Sequence, residues 1–468
     1  MRRMKLPGRR PRFLKIAQNL VTDPLPRQAC LALTDIKVDR HAVHVVYDVG
    51  GRSYSHGLRF TQWSAQKPLT AVVDAQLGTA LGLVLAPHLF ILTDFATVDV
   101  RTGTLTAAQR EFWSWYLKGG LGEYRYRAGL DPTRPVEVQA HDRPGIETRH
   151  AAPSSDVRRA IILNGGGKDT AVAAELAARS GIEADWLTVT PTTARRALVA
   201  ASGRPSAFEA VLDIDEAMVR DARYRRGHVP YFSLFLMAGV IAALAGGYEA
   251  VIAGNERSAD EGNLMFRGME VNHQFSKSSA FERAFQQHVL DASALPLRAF
   301  SLLRPFSDLR LAQLFVRLPQ YFPVCVSCNR RAKASTWCLD CPKCAFVGLA
   351  FGAFVDDDVL RRIFGALPQE RAELRRQWLA LVRGKIKPWE CVGTQEECRL
   401  ALRLFLDRRP DWRPGGRPGR EALARAVVTL DLGESSTRVL EGQTGSGVMP
   451  PDIEARVLDA AAGLARLE

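Results

Sequence analysis

The first fifteen residues lack an apolar run. Met1 to Lys15 is basic and contains no hydrophobic stretch, so no secretory signal is expected. The chain also lacks an internal repeat and any long low-complexity run, so solenoid and extended disordered architectures drop out. No block of like charge dominates. Lys and Arg number 63 against 50 Asp and Glu, a formal net charge of +13, yet the one local cluster is Arg2 to Lys15, which reads as a loose N-terminal tail. A basic balance attracts phosphate, nucleic acid or anionic lipid. Spread over solvated faces it selects none of these, and neither a nucleic-acid nor a membrane partner is expected. What is present is an ordinary globular composition, 47% hydrophobic and 24% charged over 468 residues, enough for about two to four domains. One uncharged stretch, Val229 to Tyr248, has a length at which membrane spans and buried helices overlap. It is rich in Ala and Gly and runs straight into the apolar Ala250 to Ala253. That pairing predicts a buried helix followed by a buried strand.

Hydrophobic patterning divides the chain into three expected regions. Residues 1–150 carry short strand-like runs, Ala42 to Tyr47 and Leu89 to Leu92, a turn signal at Gly50-Gly51, and a helix over 107–118, together an α+β domain. The polar stretch Gln139 to Asp156 reads as a linker. In residues 151–355, strands are expected at 160–163, 185–190, 210–214 and 250–254, with helices at 169–179 and 216–225 between them. Asp169 and Thr170 stand where helix-capping groups belong, and Gly181 just past the helix end. Strands alternating with helices predict a parallel, doubly wound α/β sheet. Residues 356–468 read as mostly helical, with a loop at Pro410 to Pro418 and a last helix over 451–467.

Three constellations carry chemistry. Asn164-Gly165-Gly166-Gly167-Lys168-Asp169-Thr170 lies between a strand and a helix. Glycines let backbone N–H groups turn toward an oxyanion, and a helix N-terminus adds partial positive charge. Lys168 can neutralise phosphate and Thr170 can donate to it. The spacing is not that of a Walker A loop, because Ile162 occupies the place of its first Gly and Asp169 follows the Lys. Next, Gly254-Asn255-Glu256-Arg257-Ser258-Ala259-Asp260-Glu261-Gly262-Asn263 ends another expected strand, and ligands of open parallel sheets sit beyond the carboxyl ends of strands. Glu256, Asp260 and Glu261 offer carboxylates to Mg²⁺, and Arg257 can brace a phosphoryl group. His273 and Lys277, in Asn272 to Ser279, are proton-transfer candidates. Third, Cys325, Cys328, Cys338, Cys341 and Cys344 crowd into twenty residues of a chain with no export signal. That spacing points to a metal in a reducing, cytoplasmic setting rather than to disulfides. Both zinc and an iron–sulfur cluster suit the thiols. Cys391 and Cys398 read as small buried hydrophobes.

Gly165 to Thr170 resembles the S-G-G-x-D-S pyrophosphate loop of PP-loop ATP pyrophosphatases, with Gly165 in place of the first Ser and Thr170 in place of the last. That resemblance implies a Rossmann-like (HUP/PP-loop) parallel core that cuts ATP between the α- and β-phosphates and adenylates an acceptor. It makes Asn164 to Thr170, Gly254 and Asn255 the nucleotide site, with Asp169 and Glu256 near Mg²⁺. Leu303-Arg304-Pro305-Phe306 is similar to a recurring PP-loop segment. Cys328, Cys338, Cys341 and Cys344 are similar to the zinc site of PP-loop deazaguanine synthases, which leaves Cys325 spare. The strings GGGKDT, GHVP (227–230), GNERSADEGN, NHQFSKS, CPKC and KPWECVGTQEE (387–397), in this order, resemble the MurL family, over about residues 160–400. Its members are UDP-N-acetylmuramoyl-L-alanyl-L-glutamate epimerases of peptidoglycan synthesis. The resemblance implies a UDP-linked muramoyl dipeptide as substrate, an acyl-adenylate, and catalytic roles among Lys168, Asp169, Glu256, Arg257, His273 and Lys277. Two other readings stay open at this level: a PP-loop enzyme acting on tRNA or a deazaguanine base, and a zinc-stabilised nucleotide binder without activity.

Overall fold

The computed structural model describes residues 30–142, 156–412 and 437–466, apart from residues 222, 226, 332, 333, 335, 385 and 446. The Arg2–Lys15 tail, most of the expected linker, residues 413–418 of the expected loop and Leu467 fall outside them. The strands are β1 (Cys30–Val38), β2 (Ala42–Val49), β3 (Arg52–Trp63), β4 (Thr97–Leu105), β5 (Glu137–Asp142), β6 (Arg159–Leu163), β7 (Glu183–Val189), β8 (Ser206–Asp213), β9 (Ala250–Ala253), β10 (Leu264–Phe266), β11 (Met269–Val271) and β12 (Arg298–Ser301). Ten of them form one sheet in the order β12-β9-β6-β7-β8-β3-β2-β1-β4-β5, and β10-β11 is a separate hairpin.

The half from β12 to β8 is parallel throughout. Its strands are apolar on both faces because both are covered. Ala160 and Ile162 of β6 face one core, with the helices Lys168–Arg179, Asp308–Phe315 and Pro342–Gly352. Ile161 and Leu163 face the other, with the helices Ala75–Leu85, Ala107–Gly120 and Tyr231–Gly246. β8 then meets β3 antiparallel, and β3, β2 and β1 form an antiparallel run before β4 and β5. The strands of residues 30–142 thus extend the same sheet as those of residues 159–301. The β2–β3 turn is Gly50-Gly51, both at positive φ (60° and 84°), as a tight hairpin requires.

The helix Tyr231–Gly246 is buried nearly all round and stops at Gly247, in the left-handed region, three residues before β9. Its sixteen residues span about 24 Å, short of a bilayer's apolar thickness. Among the described residues no helix is long and apolar enough to cross a membrane. The C-terminal part carries the helices Asp357–Phe364, Ala372–Arg383, Gln395–Asp407 and Pro451–Ala465.

Four local expectations are corrected. Leu89–Leu92 is not a strand, because residues Ala86–Ile91 form a buried helical turn with Pro87 in its second position. A short, wholly buried apolar run has no period that tells the two apart. The helix expected over 216–225 ends at Val219. Asp221 then takes the Arg223 N–H and its guanidinium, a local turn that competes with helix. The start of the linker is strand β5, paired with β4. Asp169 and Thr170 do not cap their helix. Gly167 holds the cap position, and the Thr170 hydroxyl instead accepts from the Gly165 N–H at 3.0 Å.

Candidate active site

β6 has β7 on one side and β9 on the other, so chain order reverses between β6 and β9. At such a switch point the two following loops part and leave a crevice at the carboxyl edge. The loop after β6 is Asn164–Gly167 and the one after β9 begins at Gly254. Asn164 pins the first loop. Its amide donates to Thr188 and to the Arg195 carbonyl, and its Oδ1 accepts from the Gly166 N–H. Gly166 sits at φ +79°, and a Cβ there would meet the Arg195 side chain at 2.9 Å. A Cβ on Gly254 would lie 3.4 Å from the Asp169 carbonyl, so glycine lets β9 end against the first turn of the helix Lys168–Arg179. Asn255 is held by the β12 hydroxyl of Ser301 through both its N–H and its carbonyl.

Beneath the loop lies a charge cluster. The Lys168 ammonium is fully buried and ion-paired to both Asp169 and Asp308. Lys343 stands 3.9 Å from Asp308. Burial pushes the Asp308 carboxyl up, but Lys168 and Lys343 outweigh it and hold it below the usual range. Burial would lower Lys168, yet Asp169 and Asp308 keep it well above an ordinary lysine. Glu256 is 2% exposed, and burial together with the Asp308 and Asp169 charges pushes it up to about 7. Arg304, fully buried, ties this cluster to the next one. It donates to the Glu256 carbonyl, the Lys277 carbonyl and the Glu282 carboxylate. Other expected groups are placed elsewhere. Arg257 donates to the Pro305 carbonyl, Asp260 accepts the Ser279 N–H, and Glu261 faces Lys387.

His273 and Lys277 come together around Cys391. Lys277 Nζ lies 3.5 Å from the Cys391 sulfur, and His273 is near enough for its charge to act on the thiol. His273 Nδ1 is 2.5 Å from Glu123, whose other oxygen accepts from Arg127. The His228 ring lies 4.2 Å from that of His273. Burial pushes the Cys391 thiol up, but Lys277 and His273 reverse this and bring it to about 6. Burial lowers His273, but Cys391 and Glu123 raise it to about 9. Burial, then the His273 charge, push His228 down to about 4.

The cysteine cluster is a third feature. Cys328, Cys338, Cys341 and Cys344 bring their sulfurs within 4.8 Å of one another, with Cys338 and Cys344 at 3.6 Å. A tetrahedral Zn–S site has sulfurs ~3.8 Å apart, so the four thiols fit a metal ion such as zinc. Cys325 lies outside this group, and burial pushes its thiol up to about 12. Cys398 is buried in the apolar core, as expected. Ser327, beside Cys328, accepts the Lys168 N–H at 3.2 Å. The cysteine loop therefore touches the glycine loop.

Comparison with known proteins follows this geometry. A model of the MurL N-terminal domain matches residues 28–302, and one of the MurL C-terminal domain matches residues 324–427. The chain belongs to the MurL family. Three curated relatives named UDP-N-acetyl-alpha-D-muramoyl-L-alanyl-L-glutamate epimerase are similar to it. That of Xanthomonas oryzae pv. oryzae is 33% identical over 387 residues, 78% of this chain and 80% of the relative. That of Salinispora tropica is 34% identical over 323 residues, covering 67% and 68%. That of a Micromonospora species is 33% identical over 345 residues, covering 72% and 75%. No solved structure matches significantly.

Within this MurL-family chain, sequence reasoning missed Glu123, Asp308 and Cys391. Glu123 precedes the expected core by some forty residues, and only folding brings it to His273. Asp308 lies in the helix start after Leu303–Phe306. Cys391 was read as a small hydrophobe, and that reading is corrected: it faces two cations and is partly exposed. Its charged setting in the string KPWECVGTQEE was the available signal.

Proposed function

We propose that the chain is an ATP-dependent epimerase that converts the terminal L-glutamate of UDP-MurNAc-L-Ala-L-Glu to D-glutamate in peptidoglycan precursor synthesis. The observation that carries this reading is the meeting of the Asn164–Thr170 loop and Glu256 at the sheet's switch point in a chain of the MurL family. In the PP-loop manner, Lys168 and Thr170 would hold the phosphates of ATP, alongside Gly165 to Gly167, Gly254 and Asn255. Asp169 and Glu256 would hold Mg²⁺, which neutralises phosphate charge when bound and keeps Glu256 ionised.

The chemistry explains why an epimerase needs ATP. A glutamate α-proton next to a carboxylate anion is very weakly acidic. Attack of that carboxylate on the α-phosphorus expels pyrophosphate and yields an acyl-adenylate. The acyl carbonyl then carries no charge, and the α-proton becomes far easier to remove. Return of a proton on the other face inverts the centre, and water releases AMP. Lys277 and His273, both held as cations, suit the stabilisation of charge on the acyl oxygen. In D₂O, deuterium should enter the glutamate α-carbon only when ATP is present, with pyrophosphate and AMP released. Incorporation without ATP overturns the mechanism, as does pyrophosphate release with tRNA or a free base but not with the dipeptide.

A further inference from the structure

We propose that Cys391 is the base that takes the α-proton from the activated glutamate. The assignment rests on the proposed acyl-adenylate reaction and deepens it by naming the proton acceptor.

The cysteines of the chain differ in surroundings. Four gather as metal-binding thiols, and Cys325 and Cys398 are buried in the apolar core. Cys391 belongs to neither set. It lies between the helices Ala372–Arg383 and Gln395–Asp407, partly exposed, with the Lys277 ammonium at 3.5 Å and the His273 imidazole near enough to favour its ionised form. These partners lie 114 and 118 positions away in sequence, so the tertiary fold assembles the trio.

Each partner is built to stay protonated. His273 sets its Nδ1 against Glu123, a carboxylate 1% exposed that also takes Arg127. Lys277 lies against the thiol, and the charges of Cys391, Glu256 and Asp169 hold it protonated against its burial. A protonated imidazole and an ammonium have no lone pair with which to accept a proton. The sulfur is the one member of the trio that does. Two adjacent cations favour its thiolate form, and a base works best when its pKa lies near the working pH. The Lys277 carbonyl is tied through Arg304 to the Glu256 carbonyl, so the segment carrying Lys277 is held against the loop after β9.

The step balances simply. The Cα–H bond breaks and an S–H bond forms on Cys391. The electron pair of the C–H bond moves to the acyl oxygen as an enolate, beside the cations of Lys277 and His273. A solvent-derived proton then closes on the opposite face. In the D-to-L direction the Cys391 thiol is the proton donor.

The test uses the full-length wild type, C391S and C391A, with ATP, Mg²⁺ and the UDP-muramoyl dipeptide in D₂O. Two reactions are followed: deuterium entry at the glutamate α-carbon and dipeptide-dependent pyrophosphate–ATP exchange. Both variants should lose α-deuteration by at least about a hundredfold. They should keep the pyrophosphate exchange partial reaction within about threefold, with an unchanged melting temperature. Deuteration retained within tenfold overturns the assignment. So does loss of both reactions from a folded variant. An acyl group found on Cys391 by mass spectrometry of quenched wild type also overturns it, because the sulfur would then be a nucleophile. If the wild type shows no pyrophosphate exchange, the adenylation reading fails instead, and the deuteration comparison still decides the role of Cys391.

Discussion

At the scale of single residues, the site works by pairing buried charges so that each has a set protonation state. Cys391 is faced by Lys277, His273 and Lys343, and its thiol is drawn down to about 6. His273 is faced by Cys391, Glu123 and His228, and is raised to about 9. The signs follow directly. Below about pH 6 the thiolate gains a proton and the base is lost, and above about pH 9 His273 loses the charge that steadies both thiolate and enolate. A plot of kcat/KM against pH should therefore be bell-shaped, with limbs near these values. A rate that stays level from pH 7 down to 5 contradicts this pairing. Little of it was legible in advance. His273 and Lys277 stood out as residue types suited to proton transfer. Their protonation states depend on Glu123 and Cys391, which sequence distance conceals.

At the scale of elements, two loops were readable because their chemistry is contiguous. Gly165 to Thr170 is one unbroken string, and Cys338 to Cys344 has metal-ligand spacing. What the string did not reveal is how the loops touch. Ser327, one residue from Cys328, accepts the N–H of Lys168, and a Cβ on Gly167 would meet that hydroxyl at 2.9 Å. The cysteine loop thus buttresses the start of the helix Lys168–Arg179. Removing the metal with a chelator should lower the melting temperature and slow pyrophosphate exchange together, with recovery of both on adding zinc. Elemental analysis of fresh protein distinguishes zinc from iron. Full exchange activity in metal-free protein removes the link. The capping expectation failed for a related reason: Thr170 spends its hydroxyl across the loop, on Gly165, and not on its own helix end.

At the scale of the whole molecule, one antiparallel seam joins the two halves. β8 belongs to the parallel half and β3 to the meander, and they pair over Gly57–Trp63 and Phe208–Asp213. Cutting the chain at residue 150 leaves β8 as an open, apolar-flanked edge, which invites aggregation. Residues 151–468 expressed alone should be insoluble or aggregate, and the intact chain should unfold in one transition in urea. A soluble, monomeric 151–468 fragment overturns this. By itself the sequence determined the strand–helix alternation, the buried helix after Val229, the phosphate-suited loop and the crowding of cysteines over 325–344, since each is written in neighbouring residues and local periodicity. Only the tertiary structure decided that the strands of residues 30–142 complete the same sheet, that Asp308 sits under Lys168, and that Cys391 meets Lys277 and His273. Those are pairings across more than a hundred residues, and the burial that sets their charges exists only once the chain has closed around them.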